Sequence, residues 1–280
     1  MDLIFNGMFF ENVEEISIMK TQLFLTAMIL SLNSNFFSQK ADFGLYVPIN
    51  VPNKTTMPKM SIAGGLGASF GYSPLFLTPF YIEAKATLSN YSSQTLQQTY
   101  QFEDGSQTTT NVNYSSGMSN YLLGIKTMIG KDFRVVRGFI KPQIGLATMR
   151  TKIVIADPQD VDGCQPLDRN ISQRYTGVIY GGEIGAEIAL EKMFRKISIE
   201  NTHKLYFSMS YLTSVNHFEY VNVKYMQDEA HSAMNMHPTG DINASFINVS
   251  TSNIHEHKIA ELYHTPFEMI GINFGYIFKF

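Results

Sequence analysis

Six charged side chains occur at alternating positions inside apolar segments, where isolated charges are unusual. They are three acids and three lysines: Glu83, Lys85, Lys126, Lys141, Glu183 and Glu187. Each shares one face of an extended segment with small residues. Such groups either neutralise one another as buried ion pairs or line a narrow path for charged solutes. We favour an ion-pair network, because an unpaired buried charge costs several kcal/mol, and keep the solute path as the alternative.

Histidines are concentrated near the C-terminal end of the chain. Five of them follow His217 within the last connector: His231, His237, His255, His257 and His264. His255 and His257 have the spacing of two metal ligands, but no recognisable third ligand completes a site, so solvated loop histidines are expected. The acidic stretch 157–168 lacks the spacing and the terminal Glu of an EF-hand loop. We therefore predict no metal and no cofactor.

A nucleophile and a base would be needed for hydrolase or acyltransferase activity. The candidates are Ser214 with His217, toward one end of a predicted strand, and His203 near its other end. No acid at a suitable position completes a Ser/His/acid arrangement. We therefore predict that the protein is not an enzyme.

Apolar residues alternate with small or polar residues over most of the chain, which predicts β-strands. In 79–91, for example, Phe80 and Ile82 oppose Tyr81 and Glu83. The eight predicted strands are 41–49, 60–72, 79–91, 120–129, 139–148, 175–190, 204–215 and 266–280. The second of them is predicted to begin with Met60 on its apolar face.

Two features favour a membrane barrel over a soluble sandwich. The polar faces combine glycine with charged residues, which suits the interior of a narrow barrel better than a surface facing water. The connectors also alternate between short and long, so all the longer ones fall at one end. An even number of strands with sorted loops is typical of transmembrane β-barrels. We predict a closed antiparallel up-and-down barrel of eight strands, with ten as the alternative.

The composition restricts the class of protein further. The chain has 280 residues, a mean hydropathy of −0.06 and a single cysteine, Cys164. No apolar run approaches the roughly 18 residues of a membrane-spanning helix, and a lone cysteine excludes a disulfide framework. Residues 1–38 hold four of the 24 acids and one of the 21 bases, so the remainder is neutral. A neutral chain has no global field to attract nucleic acid.

The N-terminal region has the features of an export signal. Lys20 precedes the apolar run 23–30, and a Ser-rich boundary follows it, as in secretory signal peptides. Residues 1–18 are acidic, which is wrong for the start of such a signal. We predict three parts: a non-native extension at 1–18, a signal peptide at 19–38 and a β-barrel at 39–280.

The chain ends in GINFGYIFKF, which places four rings on one side of a strand: Phe274, Tyr276, Phe278 and Phe280. This tail resembles the C-terminal assembly signal of Gram-negative outer-membrane β-barrel proteins. The resemblance implies a location in the outer membrane, contact with its lipid, and recognition of the last strand by the barrel-assembly machinery. It is a resemblance of class and implies no particular activity.

Two long connectors are the candidates for binding a protein partner. Asp104-Gly105 between alternating runs in 92–115 predicts a hairpin that protrudes beyond the membrane. Residues 217–225 and 244–250, within 217–264, are predicted to pair as a second ribbon. We favour a structural, adhesive or partner-docking role through these hairpins. A narrow porin is the alternative, and a lipid-modifying enzyme is a weaker one.

Overall fold

A computed structural model describes most of the predicted barrel region, 39–280. The described residues are 40–73, 79–101, 107–130, 135–155, 164–193, 203–222, 239–248 and 251–279. The predicted extension 1–18, the predicted signal peptide 19–38 and Phe280 lie outside these ranges. No helix within these ranges is long and apolar enough to cross a membrane.

Strands account for nearly all of the described residues. They are β1 (Lys40–Pro52), β2 (Ala63–Ser73), β3 (Phe80–Gln101), β4 (Gln107–Ile129), β5 (Val136–Ile155), β6 (Cys164–Pro166), β7 (Asn170–Ala189), β8 (His203–Asn222), β9 (Gly240–Asn248) and β10 (Ile254–Lys279). One helical turn, Leu190–Met193, follows β7.

Eight of the strands form a ring. Their order is β1-β2-β3-β4-β5-β7-β8-β10, and β10 pairs again with β1. All of these pairings are antiparallel, and the closing one runs from Asp42 opposite Lys279 to Pro52 opposite Met269. The predicted eight-stranded up-and-down barrel is thus confirmed. The two remaining strands, β6 and β9, lie outside the ring, so the ten-stranded alternative is wrong for the barrel.

The ring exposes large apolar side chains on its outside and buries polar ones. Leu66 is 71% exposed and Val215 is 68% exposed, although a soluble fold would cover such residues. Every ring strand contributes to this apolar band, for example through Leu45, Leu66, Leu88, Tyr121, Ile144, Ile184, Phe207 and Phe274. The alternation seen in the sequence thus separates an apolar exterior from a small, polar interior.

The first predicted hairpin, within 92–115, is present. The β3–β4 ladder extends well beyond the ring, through Thr95 opposite Asn113 to Gln101 opposite Gln107. The Asp104-Gly105 pair at its turn lies outside the described residues. The predicted continuation of these two strands as a ribbon is confirmed.

The second predicted ribbon is wrong. The upper part of β8, 217–222, pairs with 261–266 of β10 instead of with 244–250. β9 pairs with 254–262 of β10 on one side and with β6 on the other. β9 takes this position because its apolar side, including Phe246, is buried against the facing strands β4 and β5. Such long-range packing leaves no local signal.

Beyond the ring the strands separate into two sheets. One sheet continues β3-β4-β5-β7, and the other consists of β8-β10-β9-β6. The ladder between β7 and β8 stops at Ile179 opposite Ser214, so the two sheets are not paired along this side. They share an apolar cluster that includes Val112 and Ile153 from one sheet and Phe246 from the other. We refer to this two-sheet extension as the sandwich.

The β1–β2 connector folds into the ring instead of away from it. Met57 and Met60 are 0% and 1% exposed. An Asx turn starts the connector, in which the Thr55 N–H donates to Asn53 Oδ1 at 3.0 Å. The prediction that Met60 lies on the apolar outer face is wrong, because β2 begins only at Ala63 and Met60 is not in its alternating register.

Candidate functional site

The six charged residues singled out in the sequence all point into the ring. Glu83 and Lys85 lie on β3, Lys126 on β4, Lys141 on β5, and Glu183 and Glu187 on β7, with between 1% and 7% of each residue exposed. Two further charges join them, Asp42 from β1 and Lys204 from β8. The group of eight is called the lumen charge network below.

Lys126 is the centre of one half of this network. Its Nζ lies 2.9 Å from Glu83, 3.0 Å from Glu187 and 3.8 Å from Asp42. Lys204 approaches Glu187 from the other side, at 2.5 Å. Since Lys126 itself is 1% exposed, these carboxylates replace the water that its ammonium group would otherwise bind.

The other half of the network is built on Glu183. Its carboxylate lies 2.8 Å from Lys141 and 3.0 Å from Lys85. Lys141 also contacts Glu83 at 2.5 Å, which joins the two halves into one chain of ion pairs. Among these eight residues, four lysines therefore face four carboxylates.

Hydroxyl groups and rings surround Glu183 and Lys85. The Tyr206 hydroxyl donates to Glu183 Oε1, and Ser208 Oγ donates to the same oxygen at 2.5 Å. The ammonium group of Lys85 lies 4.4 Å above the centroid of the Tyr46 ring, a cation–π geometry. These contacts fix both ends of the ion pair and leave little freedom for either side chain.

Glycines on the inner face provide the space for the interior rings. A Cβ atom on Gly67 would lie 2.1 Å from the Tyr46 ring, and one on Gly185 would lie 2.6 Å from the Phe139 ring. A side chain at either position would therefore collide with a ring that packs beside the charges. This close approach explains why glycine and charge occur together on the inner faces.

An apolar cluster fills the ring above the charges. It combines Met57 and Met60 from the β1–β2 connector with barrel residues such as Leu122, Ile179 and Leu212. A cavity beside this cluster, lined by Tyr91, Thr151 and other residues, has a volume of about 10 Å³. Such a volume holds roughly one water molecule, so the cavity offers no room for a solute.

The closed ring, its apolar exterior and its charged interior together match the fold of outer-membrane β-barrels. No family model and no curated protein matches the sequence. Among solved structures, the chain is similar to Ail, the attachment invasion locus protein of Yersinia pestis, with 7% identity, a TM-score of 0.39, and coverage of 86% of this chain and 97% of that one. It is also similar to a major outer membrane protein from Thermus thermophilus, with 8% identity, a TM-score of 0.41, and coverage of 86% and 99%. The fold assignment itself rests on the strand pairing of the chain.

The candidate nucleophile and bases have other contacts. Ser214 Oγ accepts a hydrogen bond from the Phe267 N–H at 2.9 Å and donates one to the Asn216 carbonyl at 2.5 Å. The rings of His217 and His264 lie 5.1 Å apart. His203 contacts the closing strand, with its ring 5.6 Å from that of Tyr276.

The prediction of solvated loop histidines is wrong for His255 and His257. Both lie in β10, opposite Phe246 and Ala244 of β9, and are only partly exposed. The ring of His257 lies 5.3 Å from that of Phe246, and burial, reinforced by His255, lowers the pKa of His257 below its ordinary value. Within the described ranges, no group of three or more His, Cys, Asp or Glu side chains is placed to hold a metal ion.

We predict that removing the central lysine of the network destabilises the barrel strongly. Lys126→Met takes a cation away from Asp42 and removes one of two lysine partners from Glu83 and from Glu187. The free energy of unfolding should fall by about 3–5 kcal/mol, measured by urea unfolding of the protein in lipid vesicles. Lys59→Met, on the exposed part of the β1–β2 connector, is the control and should change it by less than about 0.5 kcal/mol. Equal stability of the two variants would contradict a structural role.

Proposed function

We propose that the protein is a closed outer-membrane β-barrel whose role is to hold an extracellular sandwich in place for binding a partner. The observation that carries this proposal is the filled interior of the ring. An ion-pair network occupies its lower part, and an apolar cluster that includes Met57 occupies its upper part. A barrel filled in this way serves as an anchor.

The exterior supports a location in a membrane. Large apolar side chains cover it, and rings such as Tyr121 and Tyr180 are about half exposed. Backbone groups in hydrocarbon have to be paired within the protein, and closure of β1 on β10 pairs them around the ring. In the up-and-down order of an outer-membrane barrel, the chain termini and the shorter connectors share one end, which would face the periplasm.

The sandwich supports a binding role at the other end. Residues 92–101 and 107–118 form a ribbon that continues past the ring, at the end opposite to that of Asp42 and Lys279. Segments presented by a rigid scaffold are where binding residues are commonly found. The ribbon is also rich in Ser, Thr, Asn and Gln, which suits hydrogen bonding with a partner more than burial.

We expect the barrel not to conduct ions. Planar-bilayer recordings of the purified protein should give no unitary currents, because ion pairs and apolar side chains fill the lumen. The variants Glu183→Gln and Lys126→Gln should be equally silent when they remain folded. Stable currents whose ion selectivity changes in either variant would favour the narrow porin instead.

We expect loss of partner binding when the ribbon is shortened. Gln97 and Asn111 are opposite each other, so residues 98–110 can be replaced by Asn-Gly, a favoured two-residue turn. Chemical cross-linking on native cells, read by mass spectrometry, should recover a partner with the parent protein and lose it with the shortened one. Gln97→Ala, below the cut, is the control and should keep the partner. An unchanged cross-linking yield would place binding elsewhere.

The closing strand is proposed to carry the assembly signal, Phe274, Tyr276, Phe278 and Phe280. Phe278→Asp, or deletion of Phe280, should prevent insertion and lead to periplasmic proteolysis, measured as the amount of protein in the outer membrane. Val136→Asp is a matched control, since Val136 is 51% exposed at the same end of the barrel. A charge there costs at most about 2–4 kcal/mol, and less near the interface, so this variant should still insert. Normal outer-membrane levels of both tail variants would contradict the proposal.

A further inference from the structure

The outer faces of β5 and β7 change character abruptly above the apolar band. The last apolar pair of opposed residues is Leu146 and Val178. The next pair, Thr148 and Thr176, is joined by a hydroxyl hydrogen bond of 2.9 Å. The pair above it is Arg150 opposite Arg174, and both side chains are exposed. Successive pairs on one face are about 7 Å apart, so the two arginines lie two steps, about 14 Å along the strands, beyond Leu146 and Val178.

Two arginines directly opposite each other repel, and like charges in this position destabilise a sheet. Lys152, the next outward residue of β5, adds a third positive charge. Among the described residues, no acid pairs with any of the three, and the described parts of β3, β4, β5 and β7 beyond the ring contain no Asp or Glu. Within the described residues, the nearest carboxylate in the lining of a shared cavity is that of Glu219, which borders the same cavity as Arg174 without forming an ion pair with it.

A polar groove lies next to this basic group. It has a volume of about 390 Å³ and includes Ser93, Thr95, Asn113, Ser115 and Lys152 among its lining residues. Hydroxyl and amide groups dominate this lining, and Thr95 Oγ1 already donates to Asn113 Oδ1 at 2.5 Å. Such a surface offers hydrogen bonds to a polyhydroxylated ligand, and Tyr114 and Val154 in the same lining offer apolar contacts to its carbon atoms. Lys152 belongs to both the groove and the basic group.

We propose that the outer face of β3, β4, β5 and β7 binds a phosphorylated glycolipid of the outer leaflet. The guanidinium groups of Arg150 and Arg174 bind phosphate, for which their planar fork is suited. The groove above them takes the sugar, and the apolar band below, including Leu146 and Val178, contacts the acyl chains. This inference rests on the membrane location proposed above.

The vertical order of the three surfaces favours a lipid over a free anion. Headgroups begin where the hydrocarbon ends and occupy only about 5–8 Å on each side of it. Strands of such barrels are tilted by about 35–45°, so the backbone of the basic pair lies roughly 10–11 Å above Leu146 and Val178. Arginine side chains are long and flexible enough to reach from that height down to the lipid phosphates. A soluble sugar phosphate would gain nothing from this alignment.

Native mass spectrometry of the folded protein in detergent tests the proposal. The probes are diphosphoryl lipid A, monophosphoryl lipid A, phosphatidylglycerol, phosphatidylcholine and inorganic phosphate. Diphosphoryl lipid A should be retained best, since it alone combines two phosphates, a sugar and acyl chains. Equal retention of phosphatidylglycerol would show that the groove does not contribute to binding. Saturation of the site by inorganic phosphate alone would show that the ligand is a free anion and not a lipid.

Variants separate the basic group from the groove. Arg150→Gln combined with Arg174→Gln should lower the affinity for diphosphoryl lipid A at least tenfold, and Lys59→Gln, outside the site, should leave it within twofold. Ser115→Leu, which fills the groove, should weaken binding of lipid A but not of phosphatidylglycerol. Unchanged lipid A binding by the double arginine variant would overturn the proposal.

Stability gives a second measurement that does not depend on lipid. Without anionic lipid, the double arginine variant should unfold at the same or a higher urea concentration than the parent, because it loses a repulsion. A lower concentration would show that the arginines serve the fold. The parent must also show heat-modifiable migration on gels. If it does not, the proposed outer-membrane location fails, whereas a heat-modifiable parent without lipid preference refutes the glycolipid site alone.

Discussion

Closing eight strands into a ring leaves an interior that side chains have to fill, and most of the structure follows from this constraint. The inner faces provide small residues where a ring or a long side chain crosses the lumen, as Gly67 does beneath Tyr46. Charges can enter such an interior only when they neutralise one another. Lys126 and Lys141 each contact more than one carboxylate, so the network ties β1, β3, β4, β5 and β7 together across the lumen instead of along one ladder.

Irregular pairing converts the ring into the sandwich at one level. The β3–β4 ladder shifts register between Asn90 and Ser92, close to where pairing between β2 and β3 ends. The β8–β10 ladder shifts register at Phe267, between Pro266 and Glu268. On β8 this irregularity includes Ser214, the residue at which pairing between β7 and β8 ends. Bulges bend a strand and increase its twist, so they let the longer strands separate into two sheets. Ser214 therefore serves the fold, since its hydroxyl satisfies the Phe267 N–H at this irregularity.

The sequence predicts those features that repeat with a period of two. Alternation indicates the strands, the apolar exterior and the inward charges, because each depends only on neighbours along the chain. Asp42 and Lys204 were missed, although they fall on the inner faces of β1 and β8, because each lies near a strand end where few neighbours define a face. Asp42 lies four residues before Tyr46, and Lys204 lies two residues before Tyr206, so each shares the inner face of its strand with that tyrosine. This even spacing is the signal that would have identified them. The pairing of β9 with β10 and the inward fold of Met57 depend on contacts distant in sequence, for which local patterns give no warning.

The interior of the ring and the core of the sandwich are not independent. The apolar cluster above the charges combines Leu122 and Ile179 from the barrel with Tyr220 and Tyr263 from the strands that continue into the sandwich. Tyr220 and Tyr263 stack at 5.4 Å, and burial raises the pKa of the Tyr220 hydroxyl to about 12. A shared core of this kind resists bending between the two parts. The charge network and the β1–β2 connector therefore do more than fill the lumen. By packing the interior of the ring, they hold the sandwich strands in position and fix the height of the outer surface of the sandwich above the apolar band.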